Sequence, residues 1–217
     1  MTTILISGSG TGVGKTRVTA TLARLLSDCG CSVQIVKPVQ TGVTRGQPSD
    51  ADIAAKSAGA PRICAITLRR FSKPLAPISA ARAERKTFEI KKIVREIKDL
   101  PACDYRLVEG AGGIAVPLKT KGYSWAEFAN SIKADAVMLV VSDELGAINQ
   151  ARTAYEFART RLRSRMPCAV VLNAMKMQSN QIYSSNRQSL KECGVPLLGE
   201  LGVNAKRMQF FENRIFP

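Results

Sequence analysis

The chain has no histidine among its 217 residues. Chemistry that depends on imidazole as base, proton shuttle or metal ligand is therefore excluded. Proton transfer and charge neutralisation fall instead to lysine, carboxylate, a metal ion or the substrate's own groups. Acids are scarce too: 17 Asp plus Glu stand against 32 Lys plus Arg, a formal net charge of +15. Six cysteines, at 29, 31, 64, 103, 168 and 193, form no C-x-x-C pair, so a zinc site is not expected. Most of them lie in apolar segments, where a free thiol behaves as a small hydrophobe. That usage points to a reducing, cytoplasmic setting. No apolar run reaches the ~18 residues of a membrane span, and the N-terminus enters strand-like residues with no leader layout.

What remains is ordinary globular composition, 45% hydrophobic and 6% aromatic. The length suits one domain over residues 1–217, and a chain of this size buries roughly 70% of its unfolded surface. The positive charge admits three readings: contact with nucleic acid, a field that gathers polyanionic nucleotides, or plain solvated surface. Arg159, Arg161, Arg163 and Arg165 recur at every second position, which a helix spreads around its axis rather than into one stripe. We read them as solvated surface and do not expect nucleic acid as a partner.

The most informative stretch is Gly8-Ser9-Gly10-Thr11-Gly12-Val13-Gly14-Lys15-Thr16. It follows the apolar run Thr3 to Ser7 and precedes Val18, Ala20, Leu22, Ala23, Leu25 and Leu26, which read as strand and helix. Strand, glycine-rich turn and Gly-Lys-Thr at a helix start form the layout of a phosphate-binding loop. Glycines let backbone N–H groups converge on an anion, and the helix N-terminus adds its positive dipole end. Lys15 is placed to reach the outer phosphates and the Thr16 hydroxyl to hold Mg²⁺. Ser9 departs from the glycine preferred at that position, and Val13 breaks a dinucleotide-binding G-x-G-x-x-G reading.

The rest of the chain alternates strand and helix. Residues 32–37 read as a buried strand ending in Lys37-Pro38-Val39-Gln40-Thr41-Gly42, and ligands in open α/β sheets sit beyond such strand ends. Residues 43–50 form a loop, and Ser49-Asp50 opens a helix over 51–58. Asp50 and Asp52 each fit either a helix cap or a Mg²⁺ ligand. A short strand over 63–68, a helix started by Pro77 over 78–84 and an amphipathic helix over 88–100 follow. Tyr105 to Glu109 is a strand ending in an acid, then a glycine turn, Gly110-Ala111-Gly112-Gly113. That end suits a metal-facing carboxylate beside phosphates or simply a tight turn. An extended piece over 114–118, a helix over 123–132 and a strand over 136–141 come next. Glu144 to Asn149 leads into a helix running to about Arg163, whose free N–H groups can hold a carboxylate. Strand 168–173 ends in Asn173, placed to read a base edge. A helix over 179–193, a strand over 196–201 and a short tail complete the chain. The expectation is one α/β domain with a mainly parallel central sheet.

Taken together, these motifs resemble the dethiobiotin synthetases, the ATP-dependent carboxylases of biotin synthesis. The resemblance runs from the first loop to Leu201. It rests on the loop at 8–16, Lys37-Pro38-Val39-x-Thr41-Gly42, Ser49-Asp50, Pro74-Leu75-Ala76-Pro77 and Val108 to Gly113. Val116-Pro117-Leu118, Gly146-x-Ile148-Asn149, Asn173 and Pro196 to Glu200 add to it. It implies a three-layer P-loop nucleotide-hydrolase-like fold and a homodimer. It also implies Mg²⁺ on Thr16, Asp50 and Glu109, with Gly12, Val13, Gly14, Lys15 and Thr16 wrapping the triphosphate of ATP. Gly110, Ala111 and Gly112 would line the nucleotide site, and Asn173, Leu201, Gly202 and Val203 would hold the base. Lys37, with Lys15 and Thr11, would be catalytic. Thr41 and Pro77 would face a diamine substrate, which takes up CO₂. Gly146, Ala147, Ile148 and Asn149 would hold its carboxylate across the dimer interface.

Three positions depart from the family pattern: Gly10 where aspartate is usual, and Ile78 and Gln150 where histidine is usual. A second reading is a regulatory ATPase of the partition or division-site type, on the same fold. Its signature lysine would stand at Gly10.

Overall fold

The structure is a computed structural model that describes residues 1–119 and 122–211. It contains β1 (Thr2–Gly8), α1 (Lys15–Asp28), β2 (Val33–Lys37), α2 (Asp50–Ala58) and β3 (Ile63–Thr67). Next come α3 (Pro77–Ala83), α4 (Ile90–Lys98), β4 (Tyr105–Glu109), α5 (Trp125–Ser131) and β5 (Ala136–Ser142). Then follow α6 (Ala147–Arg159), β6 (Cys168–Asn173), α7 (Asn180–Glu192), β7 (Leu197–Leu201) and β8 (Gln209–Phe210).

The strands form one sheet in the order β3-β2-β4-β1-β5-β6-β7-β8. Every pairing is parallel except β7 with β8. The strands read as nearly continuous apolar runs because helices cover both faces of a parallel sheet. Alternate side chains feed two cores. On one face Leu5, Val108, Leu139 and Val170 pack with Ile93, Ile97, Trp125 and Phe128 and with the small alanines of α6. On the other, Ile4, Ile6, Leu107 and Val171 pack with Val18 and Leu22 of α1 and Ala51 and Ala54 of α2.

β1 lies between β4 and β5 with β2 one strand further out. The carboxyl ends of β1, β2 and β4 therefore open side by side, and this gathers the loops that carry the site residues.

The mainly parallel α/β sheet is as expected from the sequence, and four local readings are corrected. Residues 114–118 are not an extended piece: Val116 N–H donates to the Gly113 carbonyl in a turn, and only a single bridge joins Pro117 to Ser124. α6 ends at Arg159, short of the expected Arg163, and a closing turn follows in which the Arg161 and Leu162 N–H groups both donate to the Ala158 carbonyl. β8 was missed because two residues carry no readable period. None of the six cysteines is buried, and all are free thiols. Part of the expected tail, residues 212–217, lies outside the described residues.

Candidate active site

The loop between β1 and α1 is held from both sides. Ser9 N–H donates to the Val140 carbonyl at 3.0 Å, and Ile114 N–H donates to the Gly8 carbonyl at 2.8 Å. Gly14 caps α1 in the left-handed region, φ 85°, and no side chain caps this helix. A Cβ at Gly14 would stand 2.0 Å from Asn173 Nδ2, so only glycine allows both the turn and the close approach. The first-turn N–H groups of α1 are left for an anion. No acid stands in that first turn to compete.

Lys15 is the first residue of α1 and is 7% exposed. Its Nζ donates to the Gly10 carbonyl at 2.7 Å, curling over the loop. Burial, and then the Lys37 ammonium nearby, lower its pKa from 10.5 to about 8. Thr11 and Gly12 are exposed on the loop, and Val13 is buried beneath it.

Lys37, at the end of β2, is 2% exposed. It is surrounded by oxygen: its Nζ stands 2.6 Å from Asp50 Oδ2 and donates to Glu109 Oε1 at 2.9 Å and to the Gly110 carbonyl at 3.1 Å. Burial works to lower the Lys37 pKa, and the two carboxylates outweigh it, so the ammonium is held above its usual range. Glu109 is fully buried and closes the network. Thr16 Oγ1 donates to its Oε1 and Thr19 Oγ1 to its Oε2, each at 3.0 Å.

Geometry separates the two acids left open by the sequence. Asp52 is the capping-box residue of α2, with its Oδ2 accepting from Ser49 N–H and Oγ. Asp50 takes no part in that box. Its N–H donates to Gln40 Oε1, and its carboxylate turns to Lys37. One hydroxyl and two carboxylates thus converge, a hard-oxygen set that fits Mg²⁺ completed by phosphates and water. Among the described residues no group of three or more Cys, Asp or Glu forms a metal cage by itself.

Gly110 is buried against the Trp125 ring, whose Nε1 donates to the Ala111 carbonyl at 2.8 Å. Gly112 packs against Val116 beside Thr11. Thr41 is half-buried and Pro77 buried at the first position of α3. Gly146 caps α6 without a side-chain bond, Ala147 is buried, and Ile148 and Asn149 follow in the first turn. Gly146, Ile148 and Asn149 line a cavity of about 770 Å³ with Gln181 and Ile182 of α7.

Asn173 is fully buried and its amide is occupied: Nδ2 donates to the Val13 carbonyl at 2.8 Å, and Oδ1 accepts from Arg17 at 2.8 Å. Leu201 is buried, Gly202 exposed and Val203 half-buried. The structure also brings in Thr19, Arg17, Gln40 and Gln150, which sequence reasoning had not placed. Gln150 Oε1 accepts from Ser9 Oγ at 3.0 Å. Ser9 and Gln150 were both odd positions in their motifs, and that shared oddity was the available signal.

The chain is similar to known proteins both in sequence and in fold. A family model described as an AAA domain matches residues 2–209. The ATP-dependent dethiobiotin synthetase BioD of Rhodococcus erythropolis is 35% identical over 97% of this chain and 93% of its own. That of Aquifex aeolicus is 39% identical over 72% of this chain and 70% of its own. Among solved structures, the MinC:MinD cell division complex of Aquifex aeolicus aligns with a TM-score of 0.57 at 16% identity, over 95% of this chain and 83% of that one. The signal recognition particle 54 kDa protein of Aeropyrum pernix gives 0.57 at 16% identity, over 97% and 43%. These structural likenesses establish the P-loop fold, and the sequence relatives are more specific: the chain belongs to the dethiobiotin synthetase family.

Proposed function

We propose that this chain is the ATP-dependent cyclo-ligase that closes 7,8-diaminononanoate and CO₂ into the cyclic urea dethiobiotin, in biotin biosynthesis. The observation that carries this is Lys37. A buried ammonium stands between Glu109 and Asp50 at the mouth of an uncapped phosphate loop, in a family whose members bear that name.

One amine adds to CO₂ and, on losing a proton, becomes a carbamate. A carbamate oxygen attacks the γ-phosphorus, and ADP leaves. The second amine then attacks the carbonyl carbon, the ring closes, and phosphate and a proton depart. The substrate supplies both nucleophiles, which suits a site without histidine. The protein positions groups and neutralises developing charge.

Residues 12–16 wrap the triphosphate, and Gly110, Ala111 and Gly112 form the facing turn. Lys15 leaves the Gly10 carbonyl for the outer phosphates, and Thr11 lies beside it. Lys37 faces the transferring phosphoryl group. Thr16, Asp50 and Glu109 hold Mg²⁺, which when bound offsets phosphate charge. Asn173, Leu201, Gly202 and Val203 form the base side. Thr41 and Pro77 face the diamine. The start of α6, Gly146 to Asn149, meets its carboxylate across a homodimer interface. The setting is cytoplasmic, and among the described residues no helix is long and apolar enough to cross a membrane.

The test is phosphate release from MgATP and bicarbonate with and without the diamine. Strict dependence on the diamine is the expected result. Release indifferent to it, for every nucleotide, would favour the regulatory ATPase instead.

A further inference from the structure

Arg17, in the first turn of α1, reaches across to the wall formed by the ends of β6 and β7. Its Nη1 donates to Asn173 Oδ1 at 2.8 Å and to the Ala174 carbonyl at 3.1 Å. Its Nη2 donates to the Gly202 carbonyl and, at 3.2 Å, to the Ala205 carbonyl. One guanidinium thus engages four acceptors from two segments far apart in sequence, with no carboxylate among them. Both ends of the Asn173 amide are engaged, because its Nδ2 also donates to the Val13 carbonyl at 2.8 Å and to Met175 Sδ at 2.9 Å.

The nucleotide reading above sets the base against this wall, where an exocyclic amine would use acceptors such as these four oxygens. Resting on the nucleotide reading above, we infer that Arg17 is a specificity-determining residue that suppresses selection for amino-bearing bases. The reason is charge as well as occupancy. Carbonyl oxygens keep a second lone pair, yet an amine hydrogen approaching one would meet the positive guanidinium, whereas a keto oxygen would not be repelled. The chain therefore selects its nucleotide mainly through the triphosphate, where Lys15 and the uncapped start of α1 act whatever the base.

The experiment compares the full-length protein with Arg17→Ala and Arg17→Met, the latter keeping the apolar stem in place. For each protein kcat/KM is measured with ATP, ITP, CTP and UTP. Dissociation constants are measured in parallel for the four nucleotides and for tripolyphosphate. The readout is the ratio of amino-bearing (ATP, CTP) to amine-free keto-bearing (ITP, UTP) nucleotides within each protein, so a general loosening cancels. We expect the ratio to rise roughly tenfold in both variants, the equivalent of about one hydrogen bond to a newly free acceptor, while tripolyphosphate affinity changes little. A ratio that stays constant, with all nucleotides weakened alike, would overturn the inference and leave Arg17 a strut of the wall. A fall in the ratio would also overturn it. If no cyclic urea forms with any nucleotide, the functional reading fails, and the binding ratios still decide the role of Arg17.

Discussion

Lys37 and Glu109 form a buried ion pair, Nζ to Oε1 at 2.9 Å, with side-chain exposures of 2% and 0%. Removing either partner strands the other in a low-dielectric site. Glu109→Gln should cost roughly 2–3 kcal/mol of stability, read from the urea midpoint, because Asp50 remains to share Lys37. Lys37→Met leaves Glu109 and Asp50 facing each other without a cation. Turnover should fall at least about a hundredfold. Binding of Mn²⁺ without nucleotide should tighten, because the oxygen cluster then seeks another cation. Unchanged Mn²⁺ affinity in a folded Lys37→Met protein would count against the shared use of these acids.

The pH dependence should follow Lys15. Its folded pKa, about 8, lies below its ordinary 10.5. Between those values the unfolded chain binds the extra proton, so the cost of burying a charged lysine is full below about 8 and is relieved as pH rises. Activity runs the other way, because only the ammonium attracts phosphate. The kcat/KM for nucleotide should decline as pH rises through about 8. Lys15→Arg, if active, should lose that limb, since guanidinium stays charged.

Asp50 and Asp52 should separate cleanly. Asp52→Ala removes the capping box of α2 and should cost about 1 kcal/mol of stability with little change in turnover. Asp50→Asn should do the reverse: a folded protein, near-normal in melting, with turnover strongly reduced and the Mg²⁺ requirement raised. Differential scanning calorimetry beside a Mg²⁺ titration of phosphate release distinguishes them.

Gly113 tests how tightly the facing turn supports the phosphate loop. A Cβ there would stand 3.0 Å from the Ser9 carbonyl oxygen and 3.3 Å from the Gly10 nitrogen. Both are backbone atoms that cannot swing away. Gly113→Ala should push the loop outward and raise KM for nucleotide several-fold more than it lowers kcat, a pattern that steady-state kinetics reads directly.

Much of this site was legible because phosphate binding demands a rigid local pattern. Glycines, Lys15 and Thr16 must stand at fixed spacing after a strand, and the strands ending in Lys37 and Glu109 are buried runs closed by a charged residue. What was not legible depends on contacts between distant segments. Arg17 looks like any basic residue on a helix until the ends of β6 and β7 arrive beside it. Asn173 reads as a free amide until the fold occupies both its ends. Ser9 and Gln150 each look like a lapse in a motif, and they hydrogen-bond across 141 positions. The choice between Asp50 and Asp52 turned on which carboxylate the capping box consumes, a matter of side-chain direction rather than spacing.

The most direct test of the central claim is to supply isotopically labelled bicarbonate, MgATP and 7,8-diaminononanoate, and to follow the product by mass alongside released phosphate. The account predicts a cyclic urea carrying the labelled carbon, formed in step with phosphate and lost in Lys37→Met. Phosphate release without label in any diamine product would contradict it.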